Sequence, residues 1–203
     1  MIPENHRLTF DDYRSWPDDP RWEIIDGHPY AMSSPSSLHQ ELSTSLVVAL
    51  TPFFRGRGCR LFHAPMDVKL SDHDVVQPDL LVVCEPKQIR PTHIEGPPTL
   101  VVEVLSPSTL RHDRVRKLNL YARVGVPEYW VITPHPFMIE VLRLERGLFS
   151  TTGSYTELGI LKSPGFPELE LDLAELYATL PPQPPIDEVR EASPPYSATS
   201  KQP

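Results

Sequence analysis

The chain has 203 residues, 39% of them hydrophobic, and its formal net charge at pH 7 is -8. A chain of this length can bury one substantial core without disulfide support, so we expect a single domain with appendages. The negative charge argues against a protein that coats nucleic acid by bulk electrostatic attraction, although a local basic surface is compatible with it. The apolar runs reach only the length of a strand, which argues against a transmembrane helix.

The cellular location is predicted from signals that the sequence lacks. The first residues have no basic region followed by an apolar stretch and a small-residue cleavage site, which argues against secretion by that route. Cys59 and Cys84 have neither CxxC spacing nor companion histidines. We therefore expect two reduced, partly buried thiols, rather than a disulfide or a zinc site, in a cytoplasmic protein without membrane contact.

The first elements of the chain are predicted to be a short helix, a hairpin and a longer helix. Thr9, followed by acidic residues, is typical of the N-terminus of a helix. Two short apolar runs flank Asp26-Gly27, a dipeptide typical of hairpin turns. Leucines then recur at helical spacing after a serine-rich stretch, which predicts a helix from about Ser37 to Arg55.

Strand patterns dominate the middle of the chain. Within residues 60–70, apolar and polar side chains alternate from Met66 to Leu70, as they do in a half-buried strand. Residues 75–85 and 99–106 form nearly continuous apolar runs, which are typical of central strands covered on both faces. Residues 113–125 place apolar side chains on one helical face and end at Gly125, a typical helix C-terminus.

The remaining pattern completes one domain. It predicts a strand at 128–132, an outer hairpin over 137–151 and a closing helix near 173–180. This order of helices and strands predicts an α/β fold in which helices flank a mixed sheet. After Leu180 the chain is rich in proline and serine. We therefore assign residues 1–180 to the domain and residues 181–203 to a disordered tail.

One carboxylate stands inside a predicted central strand. Glu103 lies between Val102 and Val104, where burial of an unpaired charge costs several kcal/mol. Asp79 stands near the start of the preceding apolar run. If the two strands are neighbours, both acids can converge on one hard cation such as Mg²⁺ or Mn²⁺. The alternatives are an acid exposed at a strand end and an acid paired with a basic residue.

Three stretches together resemble a known superfamily: QPDLLVV around Asp79, VVEVLSPST around Glu103 and DRVRKLNLYARVGVPEYWVI around Lys117. They are similar to PD-(D/E)xK nucleases and, within that superfamily, to the Uma-two family of restriction-endonuclease-like proteins. The resemblance extends from about Leu8 to Leu180. It implies a restriction-endonuclease-like αβββαβ core, here with an N-terminal helix and hairpin extension. It also implies Mg²⁺-dependent hydrolysis of phosphodiester bonds, with Mn²⁺ as a second candidate metal, and a homodimer as one oligomeric state.

The resemblance assigns roles to individual residues. Asp79 and Glu103 correspond to the metal-binding acids, and Val104 to the residue that offers its backbone carbonyl to the metal. The next motif position should be lysine but is Leu105 in this chain. In the family this lysine is commonly moved to the following helix, where Lys117 matches it; its ammonium would stabilise charge on the scissile phosphate or orient the water. The alternative for Lys117 is an exposed lysine that pairs with the aspartate four residues before it.

Further candidates surround these residues. Glu23 resembles the family's early acid, an additional metal ligand, and is otherwise an exposed hairpin acid. His39 on the long helix is predicted to face the cleft, whereas Glu41 is predicted to be solvated. Gln77 shares a strand face with Asp79, so it is either a substrate contact or a polar strand end. The basic residues expected to hold flanking phosphates are Arg111, Arg114 and Arg116.

These observations predict a metal-dependent endonuclease that acts on DNA. Two other functions stay open. A catalytically inactive relative that binds nucleic acid or a partner protein is compatible with the acidic net charge. A hydrolase of smaller phosphoesters would need less basic surface.

Overall fold

The computed structural model describes residues 7–17, 20–106 and 112–182, with the backbone alone at residues 112 and 113. The tail predicted for 181–203 lies outside the described residues from position 183 onward. The α-helices are α1 (Phe10–Tyr13), α2 (Ser37–Phe54), α3 (Leu118–Val124) and α4 (Leu173–Ala178). A π-helical segment, His112–Lys117, runs directly into α3. The strands are β1 (Trp22–Ile25), β2 (His28–Ala31), β3 (Arg60–His63), β4 (Val68–Ser71), β5 (Asp74–Val76), β6 (Leu80–Val83), β7 (Ile94–Glu95), β8 (Leu100–Val104), β9 (Glu128–Thr133), β10 (Met138–Glu145), β11 (Leu148–Tyr155), β12 (Ile160–Lys162) and β13 (Glu170–Asp172).

The central sheet has six strands in the order β11-β10-β9-β8-β6-β3. Strand β6 pairs antiparallel with both β3 and β8, whereas β8 and β9 run parallel and are connected through α3. The series α2, β3, β6, β8, α3 and β9 is therefore the αβββαβ core that the sequence predicts. The predicted outer hairpin is confirmed as β10 and β11.

A second sheet of five strands, in the order β2-β1-β5-β4-β7, is larger than the predicted N-terminal extension. The run 75–85 was predicted as one strand, but the structure divides it between β5 in the second sheet and β6 in the central sheet. Pro78 lies at the break, where proline removes a backbone donor and disfavours a continuous ladder. Residues 60–70 are likewise divided between the two sheets, as β3 and β4.

Both faces of the central sheet are buried. On one face, Leu42, Leu46 and Leu50 of α2 pack in a cluster with residues of β6, β8, β9 and α4. On the other face, Leu120 and Tyr121 of α3 pack with β6, β8 and β9 and with the second sheet. The two helices and the second sheet therefore exclude water from the strands that carry the acidic motifs.

Glu128 is a buried acid that anchors the C-terminal part of the domain. Its carboxylate accepts hydrogen bonds from Trp130 Nε1, Ser163 Oγ and the Gly165 backbone N–H, each at 2.6 Å. A Cβ at Gly165 would stand 2.6 Å from the Glu128 carboxylate, so a larger residue there would have to displace that carboxylate. The full set of donors explains how a charge is tolerated at a position with no exposure.

A disulfide joins Cys59 and Cys84, so the expectation of two reduced thiols is wrong. Arg60 pairs with Val83 in the antiparallel β3–β6 ladder, so the cysteines, one step further along each strand, stand opposite each other. Strand pairing thus brings together two residues that are 25 positions apart in the chain. The cysteines consequently give no support for a reducing compartment.

None of the helices within the described ranges is long and apolar enough to cross a bilayer.

We expect reduction of this disulfide to lower the free energy of unfolding. A cross-link over 25 residues stabilises a protein by about 3 kcal/mol in the chain-entropy treatment. Urea unfolding with and without dithiothreitol measures the difference. The Cys59→Ser/Cys84→Ser double variant is the control, because its unfolding should not respond to reductant; an equal response of wild type and control would contradict the prediction.

Candidate metal and phosphodiester site

Asp79, which directly precedes β6, lies beside Glu103 on the neighbouring strand β8 of the central sheet. Leu80 pairs with Val102 in the β6–β8 ladder, so these two acids, one residue further along each strand, stand opposite each other. Directly opposed residues of antiparallel strands project to the same face, so both carboxylates lie on one side of the sheet. Both line the same cavity, together with Val104.

Glu103 is buried and receives two hydrogen bonds on one oxygen. Its Oε1 accepts from Lys117 Nζ at 2.9 Å and from the Tyr121 hydroxyl at 2.7 Å. Only 2% of Glu103 is exposed, so the alternative of an acid exposed at a strand end is wrong, whereas the alternative of an acid paired with a basic residue is confirmed. Pairing with the ammonium and the hydroxyl offsets the desolvation of the carboxylate.

Lys117 lies between two buried carboxylates. Its Nζ is 2.9 Å from Glu103 Oε1 and 2.9 Å from Glu23 Oε1, and 4% of its side chain is exposed. The alternative of an exposed helical lysine is therefore wrong. The lysine is the last residue of the π-helical segment, a geometry that often occurs at functional sites. The long aliphatic stem carries the ammonium from the helix to the sheet.

Glu23 is part of the same cluster, so it is not an exposed hairpin acid. Its Oε1 also accepts a hydrogen bond from the backbone N–H of Gln77 at 2.9 Å. Strand β1 pairs with β5, and this pairing places Glu23 beside the segment that connects β5 of the second sheet to β6 of the central sheet. The acid therefore connects the two sheets at the cavity.

Tyr121 is a site residue that the sequence pattern assigned to the apolar face of the helix. Its ring is fully buried and packs against Tyr129 with centroids 5.2 Å apart, while its hydroxyl donates to Glu103. Burial, and secondarily the negative charge of Glu103, raise the pKa of the Tyr121 hydroxyl well above its ordinary value of 10.0. The hydroxyl consequently remains a donor and holds Glu103 in place. Helical periodicity cannot reveal this role, because an aromatic residue on an apolar face packs in the same way.

Asp79 is held by a backbone donor and a histidine. Its Oδ2 accepts from the Val104 N–H at 2.7 Å and is 3.1 Å from His39 Nε2. His39 thus faces the cavity from α2, whereas Glu41 is exposed on the same helix. Among the residues that the structure describes, none donates a hydrogen bond to Asp79 Oδ1. One carboxylate oxygen is therefore fixed, while the other accepts from none of the residues within the described ranges.

Gln77 connects the cavity to α1 through a network that sequence patterns did not indicate. Its side-chain amide donates to Asp67 Oδ1 at 2.8 Å and to the Tyr13 hydroxyl at 3.1 Å, and Arg21 donates to its Oε1 at 3.4 Å. Burial and the hydrogen bond to Asp67 raise the pKa of the Tyr13 hydroxyl. Gln77 is 7% exposed, lines the cavity and directly follows β5, so it is a buried polar residue at a strand end, and its contact with substrate stays a prediction.

The cavity has a volume of about 770 Å³ and an acidic floor. We call Glu23, Asp79, Glu103 and Lys117 the floor, and the half-buried Arg21 and Tyr30 with the exposed Arg116 the rim. Arg114 is not part of the lining and pairs with Glu140 on β10 instead. Arg111 lies outside the described residues. Of the three arginines predicted to hold phosphates, the structure brings Arg116 to the cavity.

The floor fits a hard divalent cation. No group of three or more histidines, cysteines or carboxylates within the described ranges could enclose a metal ion. Mg²⁺ does not require such an enclosure, because it keeps several waters and is commonly bound through one or two carboxylates together with substrate phosphates. Asp79 and Glu103 present oxygen donors on one sheet face, and Asp79 Oδ1 accepts from no described residue. This donor chemistry suits Mg²⁺ or Mn²⁺.

Leu105, which stands where the motif would have a lysine, is a buried packing residue in the structure. The side chain is 3% exposed and packs with Val101 and Leu120. A leucine in this position excludes water and supplies no charge. The cation beside Glu103 comes from Lys117, on the element that follows β8 in the described chain.

Comparison with known proteins places the fold in a class. A crystal structure of a "putative nuclease belonging to DUF820" from Anabaena variabilis superimposes with a TM-score of 0.70 and 20% sequence identity, covering 85% of this chain and 98% of that one. The likeness, with the αβββαβ core, defines a nuclease-like fold.

A family match then identifies the chain more closely. Residues 10–174 match the Uma2 family, described as "Putative restriction endonuclease", and the protein belongs to this family. The uncharacterized protein slr1290 of Synechocystis sp. is 33% identical over 119 residues, which are 57% of this chain. The match spans 63% of the length of that relative. The resemblance to the Uma-two family, inferred from the motifs, is confirmed.

We expect Lys117→Met to lower the free energy of unfolding by about 3–5 kcal/mol, because it leaves two buried carboxylates without their cation. Urea denaturation measures the change. Lys162→Met is the matched control, since Lys162 pairs with Glu170 in solvent and an exposed pair contributes at most about 1 kcal/mol. Equal stability changes in the two variants would contradict the assignment of Lys117 as a buried, paired ammonium.

Proposed function

We propose that this protein is a Mg²⁺-dependent endonuclease that hydrolyses phosphodiester bonds of DNA. The observation that carries the proposal is the contact of Lys117 Nζ with Glu103, at 2.9 Å, in a cavity that Asp79 also lines. Two neighbouring acids can hold a catalytic cation, and an ammonium beside them can stabilise charge that develops on a phosphate. Membership of the Uma2 family supports the same reaction class.

Asp79 and Glu103 would hold the cation, with the backbone carbonyl of Val104 as a third oxygen donor. A bound Mg²⁺ would lower the pKa of a coordinated water and neutralise charge on the phosphate. His39 and the Val104 N–H hold one oxygen of Asp79, and Tyr121 and Lys117 hold one oxygen of Glu103. Hydrogen-bond partners of this kind orient the metal ligands, and their loss typically weakens metal binding by about 10- to 100-fold.

The other groups act on the substrate in this proposal. The ammonium of Lys117 lies beside Glu103, where it would stabilise negative charge that develops on the scissile phosphate. Glu23 keeps that ammonium in position through its own contact at 2.9 Å. Arg21 and Arg116 on the rim would hold flanking phosphates, since guanidinium groups bind phosphate through paired donors.

A second candidate is the hydrolysis of smaller phosphoesters. The cavity volume of about 770 Å³ favours it, because pockets of this size accept small ligands. The same floor would perform the same chemistry on either substrate. A comparison of nucleic acid with a chromogenic phosphodiester such as bis(p-nitrophenyl) phosphate separates the two candidates.

We expect Asp79→Asn and Glu103→Gln each to reduce Mg²⁺-dependent DNA cleavage by about 100-fold or more, because each removes a charge from the floor. Cleavage of single-stranded, duplex and branched DNA by the purified protein measures this. Glu41→Gln is the matched control, an exposed acid on α2 whose loss should leave cleavage unchanged. Isothermal titration with Mn²⁺ gives a readout independent of activity and should show weakened binding in the two floor variants.

The proposal fails if purified wild type cleaves none of these substrates with Mg²⁺ or Mn²⁺, or if Asp79→Asn cleaves as fast as wild type. Absence of cleavage combined with retained DNA binding would instead identify a nucleic-acid-binding relative without catalysis.

A further inference from the structure

The rim of the cavity contains a stacked pair formed by an aromatic ring and a guanidinium. Arg116 places its guanidinium carbon 4.8 Å from the centroid of the Tyr30 ring. Both residues line the cavity that contains Glu103 and Asp79. Tyr30 lies on β2, which is the edge strand of the second sheet, and Arg116 directly precedes Lys117. The pair therefore stands beside the proposed site of hydrolysis.

Arg116 differs from its basic neighbours in what it contacts. Arg114 pairs with Glu140, and Arg123 pairs with Asp26 and Asp74. Arg116 makes no ion pair with any residue that the structure describes, and it is exposed. Guanidinium groups are planar and stack on other flat groups. Because Arg116 is exposed, its pair with Tyr30 offers a surface on which another planar group can stack.

A nucleobase is the planar group that the proposed chemistry brings to this place. Bases stack on aromatic rings and on guanidinium planes, and they do so only when they are released from the stack of a duplex. A cavity of about 770 Å³ is in the size range of pockets for small ligands and is much smaller than a double helix. The cavity therefore suits one flexible nucleotide more than a rigid duplex.

We propose that Tyr30 and Arg116 form a stacking platform for an unpaired base next to the scissile phosphodiester, so that the preferred substrate is single-stranded nucleic acid or an unpaired end. The inference rests on the proposed function, since the acids of the floor define where the scissile phosphodiester lies. It adds a preference for one class of substrate. The floor alone does not set this preference, because Asp79, Glu103 and Lys117 would act on a phosphate of any nucleic acid.

Binding measurements test the platform separately from catalysis. Fluorescence anisotropy follows a fluorescein-labelled DNA oligonucleotide, single-stranded and as a blunt duplex, with all variants made in the Asp79→Asn background so that the probe stays intact. We expect tighter binding of the single strand. Tyr30→Ala and Arg116→Lys should weaken single-strand binding by about 5- to 100-fold, the range found when one base-stacking side chain is removed, with a smaller effect on the duplex.

Conservative variants separate stacking from charge and from folding. Arg116→Lys keeps the positive charge on an exposed residue, so the fold and simple phosphate attraction are retained while the flat face is lost. Tyr30→Phe keeps the ring and should bind as the parent does. Arg57→Lys is the matched control, because Arg57 stacks on Phe53 at 4.3 Å and neither residue lines the cavity; its single-strand affinity should be unchanged.

Equal affinity for single strand and duplex would overturn the inference, and so would an equal loss for both probes in Arg116→Lys. Cleavage assays with the Asp79 side chain intact identify which proposal fails. Cleavage without single-strand preference refutes the platform and leaves the nuclease proposal standing. A Tyr30-dependent single-strand preference without cleavage refutes the nuclease proposal and supports the platform.

Discussion

The ammonium of Lys117, enclosed by two buried carboxylates, is the interaction on which the cavity depends. Glu103 comes from β8 in the central sheet and Glu23 from β1 in the second sheet, and each lies 2.9 Å from Lys117 Nζ. Buried carboxylates without a cation would separate or take up protons, because desolvation of a lone charge is strongly unfavourable. The contact therefore fixes the second sheet and the segment before α3 against one face of the central sheet.

Hydrogen bonds also fix the orientation of the two acids of the floor, Glu103 and Asp79. Glu103 is fixed at one oxygen by Lys117 and Tyr121, and Asp79 is fixed at one oxygen by the Val104 N–H and His39. Both carboxylates are thus oriented before any ligand arrives. Preorganised groups need little rearrangement when charge develops, and this is the main source of electrostatic stabilisation in enzymes. A fully buried tyrosine at Glu103 is consequently as relevant to the site as the acids themselves.

The sequence predicts the part of the site that lies on the central sheet. Asp79 and Glu103 interrupt apolar runs, and strand period places them on one face once the strands are neighbours. Which distant strands pair, and in which register, is not predictable in this way. The Glu23 contact requires the pairing of β1 with β5, and the disulfide requires the register of β3 against β6. Hydropathy does not reveal the break at Pro78 for a related reason. Apolar residues lie on both sides of this proline and together have the pattern of one strand.

Charged groups in this cavity differ in depth, and this arrangement makes an acidic chain compatible with the polyanionic substrate proposed for it. Three carboxylates and one ammonium form the floor, whereas two arginines stand on the rim. At physiological ionic strength charges more than about 8 Å apart are largely screened. An approaching phosphate backbone would therefore respond to Arg21 and Arg116 more than to the net charge of -8. A basic rim this short suits contact with one or two nucleotides, because tracking a long duplex requires many neutralised phosphates.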